Sequence, residues 1–336
     1  MSWWQPDRYA DRRPRLLLRQ RLLVALRAWF QEQGFVEVET PILQLSPGME
    51  PHIHAFPTRL EAPDGTGQPR FLHTSPEFAC KKLLAAGEPR LFTLARVFRN
   101  GERSATHHPE FTMLEWYRAE ADYTQLMADC EGLLSSIAAN LWIPAYRWGG
   151  LSVPPTRPFE RVTVREACRR WAGIDLFEHP TAEGLRLAVR TAGLRAAADD
   201  SWDDLVTRIL IEKVEPELGR ERPAFLLDYP ISQAALARPK ADEPRLAERF
   251  ELYVAGLELA NAFSELIDPV EQRRRFEADM DLKERLYKKR HPIDEDFLAA
   301  LARMPPAAGI ALGLDRLVML ATGASRIEEV LWAPVE

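Results

Sequence analysis

The sequence predicts an α+β fold, an antiparallel sheet flanked by helices. Three observations carry it. Stretches of two-residue alternation come as neighbouring pairs, such as 91–99 and 110–117, joined by a polar loop. Helical-period stretches fall between such pairs without a regular strand–helix alternation, which argues against a doubly wound sheet. The chain has 336 residues, 46% of them hydrophobic, enough to bury a large core.

The elements follow in order. Leu16, Leu17, Leu22, Leu23, Leu26, Trp29 and Phe30 recur at helical spacing and predict a helix over 13–33, stopped by Gly34. Residues 35–40 alternate apolar with acidic side chains and predict a strand that Pro41 ends. Residues 46–70, rich in Pro, Gly and His, predict a loop with short strands; 71–74 is a short strand and 76–86 a helix. After the 91–99 and 110–117 pair comes a helix over 123–141. Residues 144–158 hold four prolines and two glycines and mark the entry to a helical insertion spanning about 145–222 of a single domain. Strands return at 224–228 and 249–254, helices near 270–290 and 294–303, then a strand and helix around 309–316.

Composition narrows the function classes. No run of eighteen apolar residues exists, so no membrane span is expected, and the first residues lack the apolar core of a signal peptide. Cys80, Cys130 and Cys168 are far apart and odd in number, which suggests neither disulfides nor zinc and fits a reducing cytoplasm. The net charge of −6 gives no long-range attraction to nucleic acid, while 44 Lys and Arg leave room for a local basic groove.

Chemistry concentrates in four segments. On the first hairpin, alternation puts Phe92, Leu94, Phe98, Leu114 and Trp116 on core faces and Arg99, Met113, Glu115 and Tyr117 opposite. An arginine, a carboxylate and a phenol on one face suit a polar pocket, and Arg99 can grip a phosphate or carboxylate with two hydrogen bonds. A solvated face with a salt bridge is the alternative. Gly309, Ala311 and Gly313 let a flat ligand approach the backbone, and the helix starting near Gly313 aims its positive end and Arg316 at phosphates; a plain glycine-rich turn is the alternative. Glu258 and Glu265 are seven residues apart, so an unbroken strand puts them on opposite faces. A bend at Ala260-Asn261-Ala262 would bring both to one site, where carboxylates suit Mg²⁺; two surface acids are the alternative. Glu77, in Thr74-Ser75-Pro76-Glu77, opens a helix, where the dipole alone favours an acid.

Together these segments resemble the class II aminoacyl-tRNA synthetases. The 13–41 helix–strand unit resembles motif 1, which in that family forms a homodimer interface; RVFRNGERSATHHPEFTMLEWY (96–117) resembles motif 2, and GIALGLDR (309–316) motif 3. TSPE, HPEFTMLEWY, ELANAFSEL and ALGLDRLVML look specifically lysyl-type. The resemblance implies an ATP- and Mg²⁺-using enzyme that makes an acyl-adenylate, with Arg99 and Arg316 as catalytic residues on the α- and γ-phosphates. It implies ATP contacts from Asn100, Gly101, Glu102, His108, Glu258, Leu259 and Gly313 as well, with Glu258 and Glu265 on the metal. Ser75, Pro76, Glu77, Glu115, Tyr117, Glu265 and Ala311 would line the amino-acid pocket. Within the 100–109 loop, His107 reads equally well as a surface histidine.

Three departures stand out. Gly101 replaces a glutamate common in the family, with Glu102 one residue later, so either the loop shifts or backbone groups read adenine. Ala262 replaces a usual glycine. Ala311 replaces the glycine of lysyl-tRNA synthetases and matches the paralogous family that modifies elongation factor P. Motif 1 falls within the first forty residues, leaving no room ahead of it for an anticodon-binding domain. The resemblance to that paralogous family implies transfer of lysine or (R)-β-lysine to a lysine of elongation factor P and no tRNA partner. A truncated ligase acting on tRNA or a small molecule, and an inert regulatory paralog, are the other readings.

Overall fold

The computed structural model describes residues 3–336. Helix α1 (Pro6–Glu32) opens on a proline, which has no N–H to lose at that position. It stops where expected: Gly34, at φ +75°, lets the Phe35 N–H return to the Phe30 carbonyl (3.0 Å). Its start lies two turns before the expected residue 13. Those turns lack apolar periodicity and are tied down by Arg12, which donates to the carbonyls of Leu331 and Trp332 at the other end of the chain.

Strand β1 (Val36–Glu37) is shorter than the expected 35–40. Strands β2 (Leu43–Gln44), β3 (Phe56–Glu61) and β4 (Gly67–Leu72) form a small separate sheet, so the strand expected at 71–74 starts earlier and ends at Leu72. Helix α2 (Glu77–Ala85) leads into the hairpin β5 (Arg90–Phe98) and β6 (Glu110–Ala119), and α3 spans Tyr123–Leu141. Asp122 caps α3 by accepting the Thr124 N–H (2.8 Å).

The helices expected from about residue 145 begin later. Strands β7 (Tyr146–Trp148) and β8 (Leu151–Val153) form a hairpin whose Tyr146 lies in the main core, and β9 (Glu160–Thr163) joins the main sheet. Only then come α4 (Val164–Ala167), α5 (Ala182–Thr191) and α6 (Trp202–Ile209), which bury their own apolar cluster, including Leu185, Leu205 and Ile209. The chain finishes with β10 (Ala224–Leu227), β11 (Arg249–Val254), β12 (Leu257–Ser264), α7 (Pro269–Tyr287), α8 (Glu295–Leu301), β13 (Ala307–Gly313) and α9 (Leu314–Thr322).

The main sheet runs β1-β5-β6-β13-β12-β11-β10-β9. Its interior pairings are antiparallel, as expected, but both edges are parallel: β1 to β5 and β9 to β10. A parallel pair needs a long crossover. The small sheet with α2 supplies one, and α4, α5 and α6 supply the other. One sheet face packs on α1, α3 and α9, where Phe30 stacks on Phe92 at 4.4 Å and meets Trp116. A buried pair, Arg19 and Asp315, ties α1 to α9, and Asp315 also accepts the Thr112 N–H of β6 (2.7 Å). The cysteines are free and buried. Among the described residues no helix is long and apolar enough to cross a membrane.

Candidate active site

The opposite face of the sheet carries the polar residues. Register across β6, β13 and β12 aligns Glu115 with Ala311 and Asn261, and Tyr117 with Gly309 and Phe263. Leu114 and Trp116 point the other way into the core with Phe92 and Leu94, as the alternation predicts, whereas Phe98, expected with them, is half-buried and outside that core. At Gly309 an added Cβ would lie 2.4 Å from both Glu265 Oε1 and Tyr117 Cε1. The expectation was that Gly309 admits a ligand; instead its missing side chain makes room for two pocket side chains.

One end of this face is built from buried carboxylates. Glu115 is fully enclosed and accepts from Ser75 Oγ (2.6 Å) and the Tyr117 hydroxyl (2.6 Å). Glu77 and Glu265 converge on Lys81, whose Nζ lies 2.5 Å from Glu77 Oε1 and 2.5 Å from Glu265 Oε2. Both Glu265 oxygens are buried with no hydrogen-bond partner among the described residues, Oε2 meeting Lys81 as an ion pair only. Burial, with help from neighbouring acids, pushes Glu115 and Glu265 up to about 8 and raises Glu77 as well. For Lys81, burial opposes the charge, but Glu265 and Glu77 outweigh it and hold the ammonium above its ordinary range.

The other end is cationic. Arg99 follows β5, and its N–H closes the hairpin on the Pro109 carbonyl (2.9 Å). Its guanidinium lies 5.3 Å from the Phe111 ring centroid, and its Nε is buried without a partner among the described residues. Its charge acts on both Glu115 and His107. Arg316, in the first turn of α9, donates to the Glu258 carbonyl (2.8 Å), to Glu258 Oε2 (3.3 Å) and to His107 Nε2 (2.9 Å). His107 therefore accepts at Nε2 and turns Nδ1 to Ser104 Oγ (2.8 Å). Burial, then Arg316, holds its imidazole below the ordinary range.

Glu258 and Glu265 do share a face, but not through a bend at 260–262. In β12, Ala260 pairs with Leu252 and Glu258 with Tyr253, so Leu259 is an extra, bulged residue. The bulge inverts the alternation for Glu258. The contacts of the two acids differ: Glu265 is held by Lys81, Glu258 by Arg316. Near Glu258 lies a second acid group. Glu251 takes Arg249 (2.6 Å) and the Tyr253 hydroxyl (2.7 Å). Glu215 is pushed up to about 7 by burial and then by Glu251 and Glu258.

Two residues expected at ATP have their side chains engaged elsewhere. His108 has both ring nitrogens on the main chain, Nδ1 to the Glu110 carbonyl (2.6 Å) and Nε2 to the Val335 N–H (3.2 Å); the histidine that meets Arg316 is His107. Leu259 buries its side chain in the main core, which leaves only its backbone to the site. Asn100 is exposed and anchored through its N–H to the His54 carbonyl (2.7 Å). Gly101 turns at φ +85°, a conformation a glutamate would resist, and Glu102 acts electrostatically on His54 and His107. Pro76 is buried ahead of α2 and Gly313 caps α9. Sequence reasoning missed Lys81, Arg249, Glu251 and Asn261. Lys81 did leave a signal: it falls one helical turn from Glu77 and three residues from Phe78, on the face that packs inward.

A profile of the class II tRNA synthetases (D, K and N) matches residues 6–336. A lysine–tRNA ligase of Dehalococcoides mccartyi is 40% identical over 334 residues, covering 97% of this chain and 65% of the relative. The chain thus spans about two-thirds of the length of the lysine–tRNA ligases it matches. An elongation factor P–(R)-β-lysine ligase of Sodalis glossinidius is 39% identical over 336 residues, covering 99% of this chain and 98% of the relative. One of the same name from Haemophilus influenzae is 39% identical, covering 98% and 97%.

Proposed function

Because this chain belongs to the class II tRNA synthetases (D, K and N), we propose that it is an AMP-forming ligase that activates lysine or (R)-β-lysine with ATP and transfers the acyl group to one lysine side chain of elongation factor P. The observation that carries this reading is the two-ended polar face. Buried carboxylates at Glu77, Glu115 and Glu265 suit ammonium groups, and Arg99 with its unsatisfied Nε suits an anion. A neutral substrate would leave a buried acid unpaired, at a cost of about 3–5 kcal/mol. End-to-end matches to relatives named elongation factor P–(R)-β-lysine ligase support the acceptor, and Ala311, whose strand position lies between Glu115 and Asn261, supports the shifted amino group.

The substrate carboxylate, set against Arg99, attacks the α-phosphorus in line and displaces pyrophosphate. Arg99 and Arg316 neutralise the charge that builds on the phosphoryl oxygens, so positioning and electrostatics supply the rate without a covalent enzyme intermediate. The neutral acceptor amine then attacks the acyl carbon, the mixed anhydride breaks, AMP leaves, and the amine gives up a proton. Glu258 raises the proton affinity of its acidic neighbours Glu251 and Glu215; among the described residues no three metal-ligating side chains are gathered, so a divalent cation at Glu258 would take its other ligands from phosphates and water. Mg²⁺ held at Glu258 would draw charge from the phosphates. Glu265 stays with Lys81 in the amine pocket. A second copy of the chain is proposed to cover the exposed Val36, Ile42, Leu43 and Leu45, which sedimentation of the full chain reads directly.

The test is pyrophosphate exchange with ATP, Mg²⁺ and each lysine isomer, followed by addition of elongation factor P or tRNA. A stable mass gain on elongation factor P is the expected result. The 40% identity to a lysine–tRNA ligase supports a second reading, for which charged tRNA would be the product. No exchange with any isomer leaves only an inert paralog.

A further inference from the structure

We infer that Lys81 is a positioning residue that serves as a resident ammonium of the amino-acid pocket, setting its net charge and aiming Glu265 at the substrate. This rests on the proposed amino-acid site and adds a residue to it. Lys81 is 1% exposed. It reaches from α2 to touch one oxygen of Glu77 and one of Glu265, each at 2.5 Å, with the Phe263 ring centroid 5.2 Å away. Three carboxylates, Glu77, Glu115 and Glu265, line the pocket, and Lys81 is the ammonium paired among them. With all of them charged the set carries −2, which matches a ligand with two ammonium groups. Without Lys81 the same walls would carry −3 for the same ligand.

Geometry separates this from a plain stabilising ion pair. Lys81 meets Glu265 at Oε2 as an ion pair; neither Glu265 oxygen has a hydrogen-bond partner among the described residues, and Oε1 lies away from Lys81, on the side of Gly309 and the Tyr117 ring. Tyr117 in turn holds Glu115. Lys81 thereby fixes the rotamer that presents the free oxygen beside Glu115, where an incoming ammonium can use it. A buried ion pair kept for stability alone could be replaced by an apolar side chain of similar shape with little loss. A pair that aims a binding group could not.

The test compares the wild-type protein with Lys81→Met and Lys81→Ala in amino-acid-dependent pyrophosphate exchange, with melting followed alongside. The expected result for both variants is a rise of at least about tenfold in KM for the amino acid, with KM for ATP unchanged and kcat much less affected, the pattern of lost substrate binding. In K81A, n-propylammonium, which replaces the deleted atoms and charge, should lower the amino-acid KM again, while 1-propanol should not; in the wild-type protein n-propylammonium can only compete. A variant that melts like wild type and keeps its amino-acid KM overturns the inference. So does n-propylammonium that restores the melting temperature of K81A but not its KM, because Lys81 is then a structural pair only. Absence of exchange in the wild-type protein itself removes the proposed function, and the inference with it.

Discussion

Arg99 and Gly309 show how single side chains, present or missing, decide this site. Arg99 keeps a buried Nε unsatisfied next to an aromatic ring, an arrangement that costs stability unless an anion arrives. Arg99→Ala should therefore lower pyrophosphate exchange by roughly 100- to 1000-fold with an unchanged circular dichroism spectrum; full exchange in that variant would refute its role. Gly309 works by absence. Gly309→Ala would drive a methyl to 2.4 Å from Glu265 Oε1 and from the Tyr117 ring, costing about 1–3 kcal/mol of stability and raising the amino-acid KM. A variant with wild-type melting and KM would show that the two side chains are free to move aside.

At the scale of elements, a bulge and a buried ion pair position the cationic end. The bulge at Leu259 is what turns Glu258 to the site. Deleting Leu259 leaves Glu258 directly before Ala260, still opposite Tyr253 and on the site face, but removes a buried core leucine. Denaturant unfolding should show a loss of about 2–5 kcal/mol with exchange retained in the folded protein; exchange abolished at unchanged stability would mean that the bulge itself, and not only the strand face, aims Glu258. Helix α9, which carries Arg316, is fixed through Asp315 to both Arg19 and the Thr112 N–H. Asp315→Ala strands a buried guanidinium and a buried donor, so denaturant unfolding should show a loss of about 3–5 kcal/mol. A loss under 1 kcal/mol would mean that water replaces the carboxylate.

For the whole molecule, the buried acids make stability depend on pH. Glu115 is raised from the usual 4.5 to about 8, mainly by burial. Between those values the native state keeps a proton that the unfolded chain has released, so ligand-free stability falls as pH rises from 5 to 8, by at most about 1.4 kcal/mol per pH unit for this group. Glu115→Gln should flatten the slope of melting temperature against pH, and an identical slope would refute the shift. The cluster built by α4, α5 and α6 also reaches the site. Tyr253 lies in its apolar cluster while donating to Glu251, and Gly219 packs so closely on the Tyr253 carbonyl that a Cβ would sit 2.6 Å away.

The sequence alone determined much of this protein: the α3 helix to the residue, the Gly34 stop, the alternation that puts Glu115 and Tyr117 opposite Leu114 and Trp116, and the family through its three motifs. These are local properties, set by periodicity and by conformations that only certain residues adopt. Tertiary structure decided the rest. The parallel sheet edges depend on where a crossover returns, the bulge at Leu259 on register with another strand, and the pairing of His107 with Arg316 on which groups come near each ring. Lys81 is the sharpest case. A lysine on a short helix reads as solvated until two carboxylates, one of them far along the chain, close around it, because a buried charge is stable only where the fold brings its partners.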